Sequence, residues 1–419
     1  MTGSAGLPAW SLFAALIAAA GLPIYIHAPK FYVDSYGVSL AALGVTLALL
    51  RLFDVVQDPI LGWLAEAGRA NRALWVALAT AIMALSMLGL FAVTPPIAPL
   101  LWFALTLTGL FSAFSFLTIC FYAEGVAKAA TLGPQGHIRL AGWREGGSLL
   151  GVSLAAVAPV ALASVTSTPF ALFAALFTAL AIAATLAMRA NWGMGARLPT
   201  TNPIALFRPA LSDPLARRLL LIALLNASPV AVTSTLFLFF VESRLAAPGL
   251  EGPLLLLFFL SAAASTPVWS RLAQTYGAKP TLLAAMTLAI LAFLWTATLS
   301  TGDTIAFAII CATSGAALGA DLTLLPAIFA RRLAQIGQGG EAAAFGLWSF
   351  VSKLSLALAA ATILPALDRA GFTPGAPNTE SALFTLTMIY AALPCVLKLT
   401  AITLLARTPV PDPIEGTAQ

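Results

Sequence analysis

Apolar runs of about twenty residues follow one another along nearly all of this 419-residue chain, broken by short stretches of Gly, Pro and charge. A helix needs roughly that many residues to cross the hydrocarbon core of a bilayer. Twelve such runs lie near residues 8–30, 38–66, 72–93, 97–127, 138–165, 168–189, 218–243, 252–275, 278–299, 303–330, 341–366 and 381–406. They predict an all-α membrane protein. Composition agrees: 60% of residues are hydrophobic and 9% charged, against about 25% charged in soluble domains. Such a chain cannot cover a water-facing surface, which excludes a soluble enzyme. The net charge of +5 is then expected in basic cytoplasmic loops, not in a nucleic-acid footprint.

No Lys or Arg precedes Lys30, so the first run lacks the basic leader of a secretory signal and is expected to stay as a helix. Cys120, Cys311 and Cys395 all fall inside apolar runs, which gives neither a disulfide framework nor metal spacing. There is no H-E-x-x-H and no phosphate-cradling G-x-x-x-x-G-K-[ST]. Neither a prosthetic cofactor nor ATP-driven transport by this chain is expected, and the chain is not expected to be an enzyme.

With the N-terminus cytoplasmic, one set of loops holds Arg69, Arg72, Lys128, Arg139, Arg189, Arg197, Arg208, Arg217, Arg218, Arg271, Lys279, Arg331, Arg332 and Arg407. The other set holds Lys30, Arg244 and Arg369. That asymmetry puts both termini in the cytoplasm. The longest polar stretch follows the sixth run. It divides the chain into an N-terminal bundle over 1–190, a cytoplasmic linker over 191–217 and a C-terminal bundle over 218–419. A faint repeat supports two similar halves: DPILGWLAEAG from Asp58 lines up with TPVWSRLAQTYG from Thr266.

Ionisable groups at membrane depth carry the functional information. Each costs about 2.5–3.5 kcal/mol at a helix centre on the insertion scale, so each needs a partner or a purpose. The second run reads RLFDVVQDPILGW. Asp54 and Asp58 are four residues apart and share a helix face, with Gln57 beside them. Two carboxylates in low dielectric do not both ionise cheaply. One binds a proton, or the pair holds a cation such as Na+, or Arg51 and other basic groups neutralise both as a structural network. Arg144 and Glu145 sit in the fifth run, where the arginine fork can hold a carboxylate or sugar hydroxyls. Lys353 should lie near mid-membrane in the eleventh run and face a cavity or an acid. Lys398 is expected to snorkel toward the cytoplasm. Asp321, between Gly319 and Pro326, suggests a broken or gating helix, and Glu124 a gate or capping charge. Tyr25, His27, Tyr122, Asn226 and Trp348 are candidate cavity-lining residues.

YGVSLAALGVTLALLRLFDVVQDPILGWLAE resembles the corresponding region of the glycoside–pentoside–hexuronide:cation symporters, the melibiose-permease branch of the major facilitator superfamily. Arg51, Asp54, Asp58, Pro59, Gly62 and Trp63 fit the pattern R-[IL]-x-D-x-x-x-D-P-x-x-G-W. The resemblance continues at WREGGSLLG and at ADLTLLPAIFARR…GGEAAAFGLWSFVSKLSLALAA. The stretch with Glu66 and Arg69 looks like a degenerate superfamily loop signature, G-x-x-x-D-R-x-G-R. The resemblance implies twelve spans in two six-helix bundles that alternate access. It implies a coupling-cation site at Asp54 and Asp58, with Gln57 in place of the usual Asn and the nearby hydroxyl at Ser115. It matches Arg144, Lys353 and the aromatic Tyr122 to the sugar region. The two acids that clamp galactosides align with Ala18 and Thr118, so the galactoside clamp is missing.

The reading that follows is a secondary active symporter, driven by H+ or Na+, for a small polar solute. Retaining Arg144 and Lys353 without the two acids points to an anionic solute, a uronide or organic acid, or to a less hydroxylated one. The alternative is an uncoupled facilitator or exporter of the same fold, possibly for an amphiphilic cargo. An intramembrane aspartyl protease is disfavoured, because GAD at Gly319 to Asp321 lacks the G-x-G-D spacing. The expected partners are the solute, the coupling cation and the bilayer, in a monomer of the bacterial inner membrane.

Overall fold

The protein is described here from a computed structural model covering residues 6–193, 203–337, 339–373 and 377–410. Helix accounts for 86% of it, and no strand occurs among the described residues. Fourteen α-helices are described: α1 (Leu7–Ala19), α2 (Leu22–Tyr36), α3 (Leu40–Ala67), α4 (Arg72–Phe91), α5 (Pro99–Ala130), α6 (Gly136–Leu162), α7 (Pro169–Met188), α8 (Pro203–Ser212), α9 (Pro214–Phe239), α10 (Glu251–Tyr276), α11 (Ala278–Trp295), α12 (Thr304–Ile336), α13 (Glu341–Arg369) and α14 (Glu380–Ala406).

Local chemistry sets many of these boundaries. Helices α5, α7 and α9 open on Pro99, Pro169 and Pro214, where a missing N–H leaves nothing unsatisfied. Asp213 caps α9 by accepting from Ala216 N at 2.7 Å, and Ser39 caps α3 by accepting from Ala42 N at 3.2 Å. The first apolar run is not one helix but two. Gly21 leaves helical geometry (φ −88°, ψ −119°), and Pro23 in the first turn of α2 favours a new start over continuation. Helix α12, by contrast, runs unbroken through Pro326, so the expected break beside Asp321 is absent.

Among the described residues, ten helices are long and apolar enough to cross a membrane. Helix α3, at 28 residues, is also long enough. It carries Arg51, Asp54 and Asp58 in its middle.

The chain falls into two compact units. One comprises Met1–Ser212 with Ala330–Phe350, and the other Asp213–Phe329 with Val351–Gln419. The first thus takes in α8, which lies in the stretch expected as linker, and the first ten residues of α13, where Ala342, Ala343 and Gly346 approach Gly62 of α3 closely. In this unit α6 packs against α1 through Gly147 and Gly151, where an added Cβ would strike the backbone oxygens of Ser11 and Ala15. Trp10 stacks on Phe121 at 4.9 Å. In the second unit α9 passes into a π-helical turn, Phe240–Arg244. Phe240 stacks on Tyr390 of α14 at 4.3 Å, and Phe307 of α12 completes that aromatic core.

Candidate functional site

The 3.6-residue period of α3 turns Asp54, Gln57 and Asp58 inward while Leu52, Phe53, Val56 and Ile60 stay exposed. Asp54 is 7%, Gln57 6% and Asp58 0% exposed. Gln57 Nε2 donates to Asp54 Oδ1 at 2.5 Å, and Ser112 Oγ of α5 donates to Gln57 Oε1 at 2.8 Å. Ser349 Oγ of α13 donates to Asp58 Oδ2 at 2.5 Å. That last contact depends on glycine. Gly62 and Gly346 face each other across α3 and α13, and a Cβ on either would press on the other helix's backbone at 2.9–3.1 Å. Ser115, the expected hydroxyl, is buried on α5, one turn beyond Ser112. Arg51 is exposed on α3.

On α5 and α6 a second group forms. The guanidinium of Arg144 lies 3.7 Å from the centre of the Tyr122 ring. Arg144 Nε donates to Glu145 Oε1 at 2.7 Å, and Tyr122 OH donates to the same oxygen at 3.0 Å. Arg144 Nη2 is buried without a hydrogen-bond partner. Phe345 of α13 packs on Tyr122 at 5.1 Å between ring centres. Thr118 has its hydroxyl proton committed to Phe114 O at 2.7 Å. Ala18 lies at the end of α1 and accepts from Gly21 N at 3.1 Å. Trp348 is half-buried on α13 in the same unit. His27 contacts Ala156 O at 2.7 Å, whereas the Tyr25 side chain lies outside the described residues.

One end of the first unit is tied by charge. Arg69 donates to Glu66 at 2.7 Å and to Glu341 at 2.8 Å, and Glu66 also accepts from the backbone N of Ala342 at 3.1 Å. Arg72 pairs with Glu124 at 3.1 Å, both side chains 1% exposed, and reaches Ala65 O at 3.1 Å. Glu124 therefore answers a buried arginine.

In the second unit the expectation for Lys398 is corrected. It does not snorkel. It is 4% exposed and donates to Asp321 Oδ2 and to Asn226 Oδ1, because α12 and α9 bring an acid and an amide to it inside the unit. Lys353 is half-buried on α13 in this same unit.

Sequence reading missed Ser112, Ser349 and the Lys398–Asn226 contact. Ser349 was within reach of it, since it lies one turn before Lys353 on the same helix face. Asn226 stands out in sequence as a polar residue in an apolar run, but its partner depends on how α9 packs against α14.

The family model described as MFS/sugar transport protein matches residues 9–412. A search of curated proteins finds no match. Solved structures share the fold at low identity. A bacterial homologue of the iron transporter ferroportin, in an outward-facing state, is 16% identical with a TM-score of 0.70, over 96% of this chain and 100% of that one. The E. coli fucose:proton symporter is 14% identical with a TM-score of 0.65, over 96% and 99%. A human organic anion transporter is 16% identical with a TM-score of 0.64, over 95% and 98%. These identities establish the major facilitator architecture and nothing finer. The chain belongs to the MFS/sugar transport protein family, which covers melibiose-permease-like symporters, and is an integral multi-pass membrane transporter, not an enzyme.

Proposed function

We propose that the protein is a cation-coupled symporter that moves a small polar solute by alternating access, with Asp54 and Asp58 as the coupling site. The carrying observation is the burial of both carboxylates on one face of α3, with Asp58 0% exposed. A fully buried carboxylate needs a proton, a cation or a committed partner. Gln57 Oε1, Ser112 Oγ and the aspartate oxygens supply the oxygen ligands that a hard monovalent cation prefers. Either H+ or Na+ suits this group. The topology we propose has twelve spans, with α1 and α2 together forming the first and both termini cytoplasmic. The setting is a monomer in the bacterial inner membrane.

Arg144, Tyr122 and Glu145 are the proposed solute group in the first unit. Glu145 balances the charge of Arg144 at 2.7 Å. That balance favours the sugar-like solute over the anionic one, because a neutral hydroxyl can accept from the open Nη2 without leaving Glu145 uncompensated. Lys353 and Trp348 are proposed to contact solute from α13. Arg69 with Glu66 and Glu341 forms the proposed gate, Arg72 with Glu124 supports it, and Arg51 is the basic group that flanks the acids.

The test follows unfolding of the purified protein by tryptophan fluorescence. Na+ or Li+ is exchanged against choline at constant ionic strength, at several pH values, in wild type, Asp54→Asn and Asp58→Asn. A cation at 100 times its Kd adds about 2.7 kcal/mol. Stabilisation by Na+ that both variants lose supports sodium coupling. A pH response that both variants lose supports proton coupling. No response of either kind replaces symport with uncoupled facilitation or export, and the two aspartates become structural.

A further inference from the structure

Where α9 begins and α14 ends, the second unit carries an open hollow of about 470 Å³. That volume falls within the range of about 300–1,000 Å³ of small-ligand sites. Pro214, Leu215, Arg217, Arg218 and Leu221 of α9 form it together with Pro409. The segment after α14 is held so that it makes this wall. Lys279 Nζ donates to Ala406 O at 2.9 Å and to Thr408 O at 2.8 Å, and Thr408 Oγ1 donates to Leu404 O at 2.6 Å.

Arg217 and Arg218 are the charged residues of the lining. Both are exposed, and among the described residues neither guanidinium has an acidic or hydrogen-bonding partner. Arg69, Arg72, Arg144 and Arg244, by contrast, each meet an acid or a carbonyl within their own unit. The backbone end of α9 is not the attraction, since half-buried Asp213 caps it by accepting from Ala216 N at 2.7 Å. A guanidinium can hold a phosphate through two parallel N–H···O bonds. Beside the arginines the surface turns apolar. Leu221 is 47% exposed, and Leu225 continues the same helix face half-buried. The ligand that uses both parts carries an anion and an apolar tail. Inorganic phosphate would use the arginines alone and leave Leu221 in water. Helices α9 and α14 are both long and apolar enough to cross a bilayer. Their shared end therefore lies at the interface, where phospholipids present a phosphate above acyl chains. A zwitterionic headgroup would set an ammonium beside two guanidinium groups, and an anionic one does not.

We propose that this hollow binds an anionic phospholipid, with its phosphate between Arg217 and Arg218 and an acyl chain along Leu221 and Leu225. None of the groups proposed for coupling or solute lines it. A lipid seated there touches both α9 and the segment that follows α14.

The full chain in a neutral detergent is titrated with phosphatidylglycerol, and bound lipid is counted by native mass spectrometry. Phosphatidylcholine with the same acyl chains is the reference and should bind more weakly. Arg217→Gln and Arg218→Gln should each weaken phosphatidylglycerol about fivefold, and the double variant about thirtyfold, from about 1 kcal/mol for each arginine near a lipid surface. Arg271→Gln removes an exposed arginine of the same unit outside the hollow and should leave the affinity unchanged. Leu221→Gln should weaken the lipid as well, because the tail loses its track. The unfolding temperature in detergent alone checks that each variant is folded. The proposal is overturned by equal binding of the two lipids, by a double variant or a Leu221→Gln variant that binds as wild type does, or by a loss in Arg271→Gln as large as in Arg217→Gln. Displacement of the lipid by inorganic phosphate at equal concentration would also overturn it, since the hollow would then be a free-anion site with no part for the tail.

Discussion

Asp58 and Asp321 are both carboxylates buried in the interior of a membrane protein, at 0% and 7% exposure, and they accept from different groups. Asp58 accepts from the hydroxyl of Ser349 and lies one turn from Asp54, which accepts from the Gln57 amide. Asp321 accepts from the ammonium of Lys398, which Asn226 also holds. A carboxylate paired to an ammonium keeps its charge compensated through every stage of a cycle. Asp58 has a second carboxylate one turn away, with a hydroxyl and an amide beside the two. Burial alone therefore does not mark a coupling site, and the coupling role proposed for Asp58 is separated from a structural one by its response to a cation.

The largest test of this contrast is at Lys398. Lys398→Met leaves Asp321 buried without its ammonium, and removal of one partner from a buried pair costs about 3–5 kcal/mol. The double variant Asp321→Asn/Lys398→Met should recover most of that loss, because both charges are gone. Denaturant unfolding of wild type, both single variants and the double variant measures the coupling. If Lys398→Met costs under about 1 kcal/mol, Asp321 is not held by that pair and the contrast with Asp58 collapses.

How much of this was visible beforehand depends on the range of the interactions. The apolar runs and the shared face of Asp54 and Asp58 are local or periodic facts, and they can be read along the chain. The break at Gly21 was also written locally, in a glycine two residues before Pro23, but a continuous apolar run concealed it. The partners could not be read. Lys398 looked like a snorkelling residue because nothing near it in sequence is acidic, and Asp321 is 77 positions away. Ser349 reaches Asp58 across 291 positions through the Gly62–Gly346 crossing, and neither glycine announces its opposite. Glu145 looked like a neighbour of Arg144 in sequence alone. Its closure over the Tyr122 ring needs the α5–α6 packing.

Asp58→Asn sharpens the contrast from the other side. The asparagine is nearly isosteric, and its side-chain oxygen still accepts from Ser349. What should vanish is the response to ligand, about 2.7 kcal/mol at 100 times Kd in wild type. Thermal unfolding of both proteins with and without the cation measures it. A variant that keeps the full cation response would put Asp58 in the same structural class as Asp321.

The smallest effect tests whether Ser349 belongs to the coupling group or merely closes a hydrogen bond. Ser349→Ala removes one donor to Asp58 Oδ2. Its direct stability cost should be about 1 kcal/mol, the net contribution of one intramolecular hydrogen bond once water competition is counted. If the hydroxyl helps hold the cation, the variant should also weaken the cation response several-fold while Ser349→Thr retains it. Ser112→Ala, acting on Gln57 at 2.8 Å, is the matched control on α5. Equal unfolding shifts with and without cation in Ser349→Ala would limit the hydroxyl to packing α13 on α3. A shift seen only with cation present would make α13 a direct participant in coupling, on a helix whose remainder belongs to the second unit.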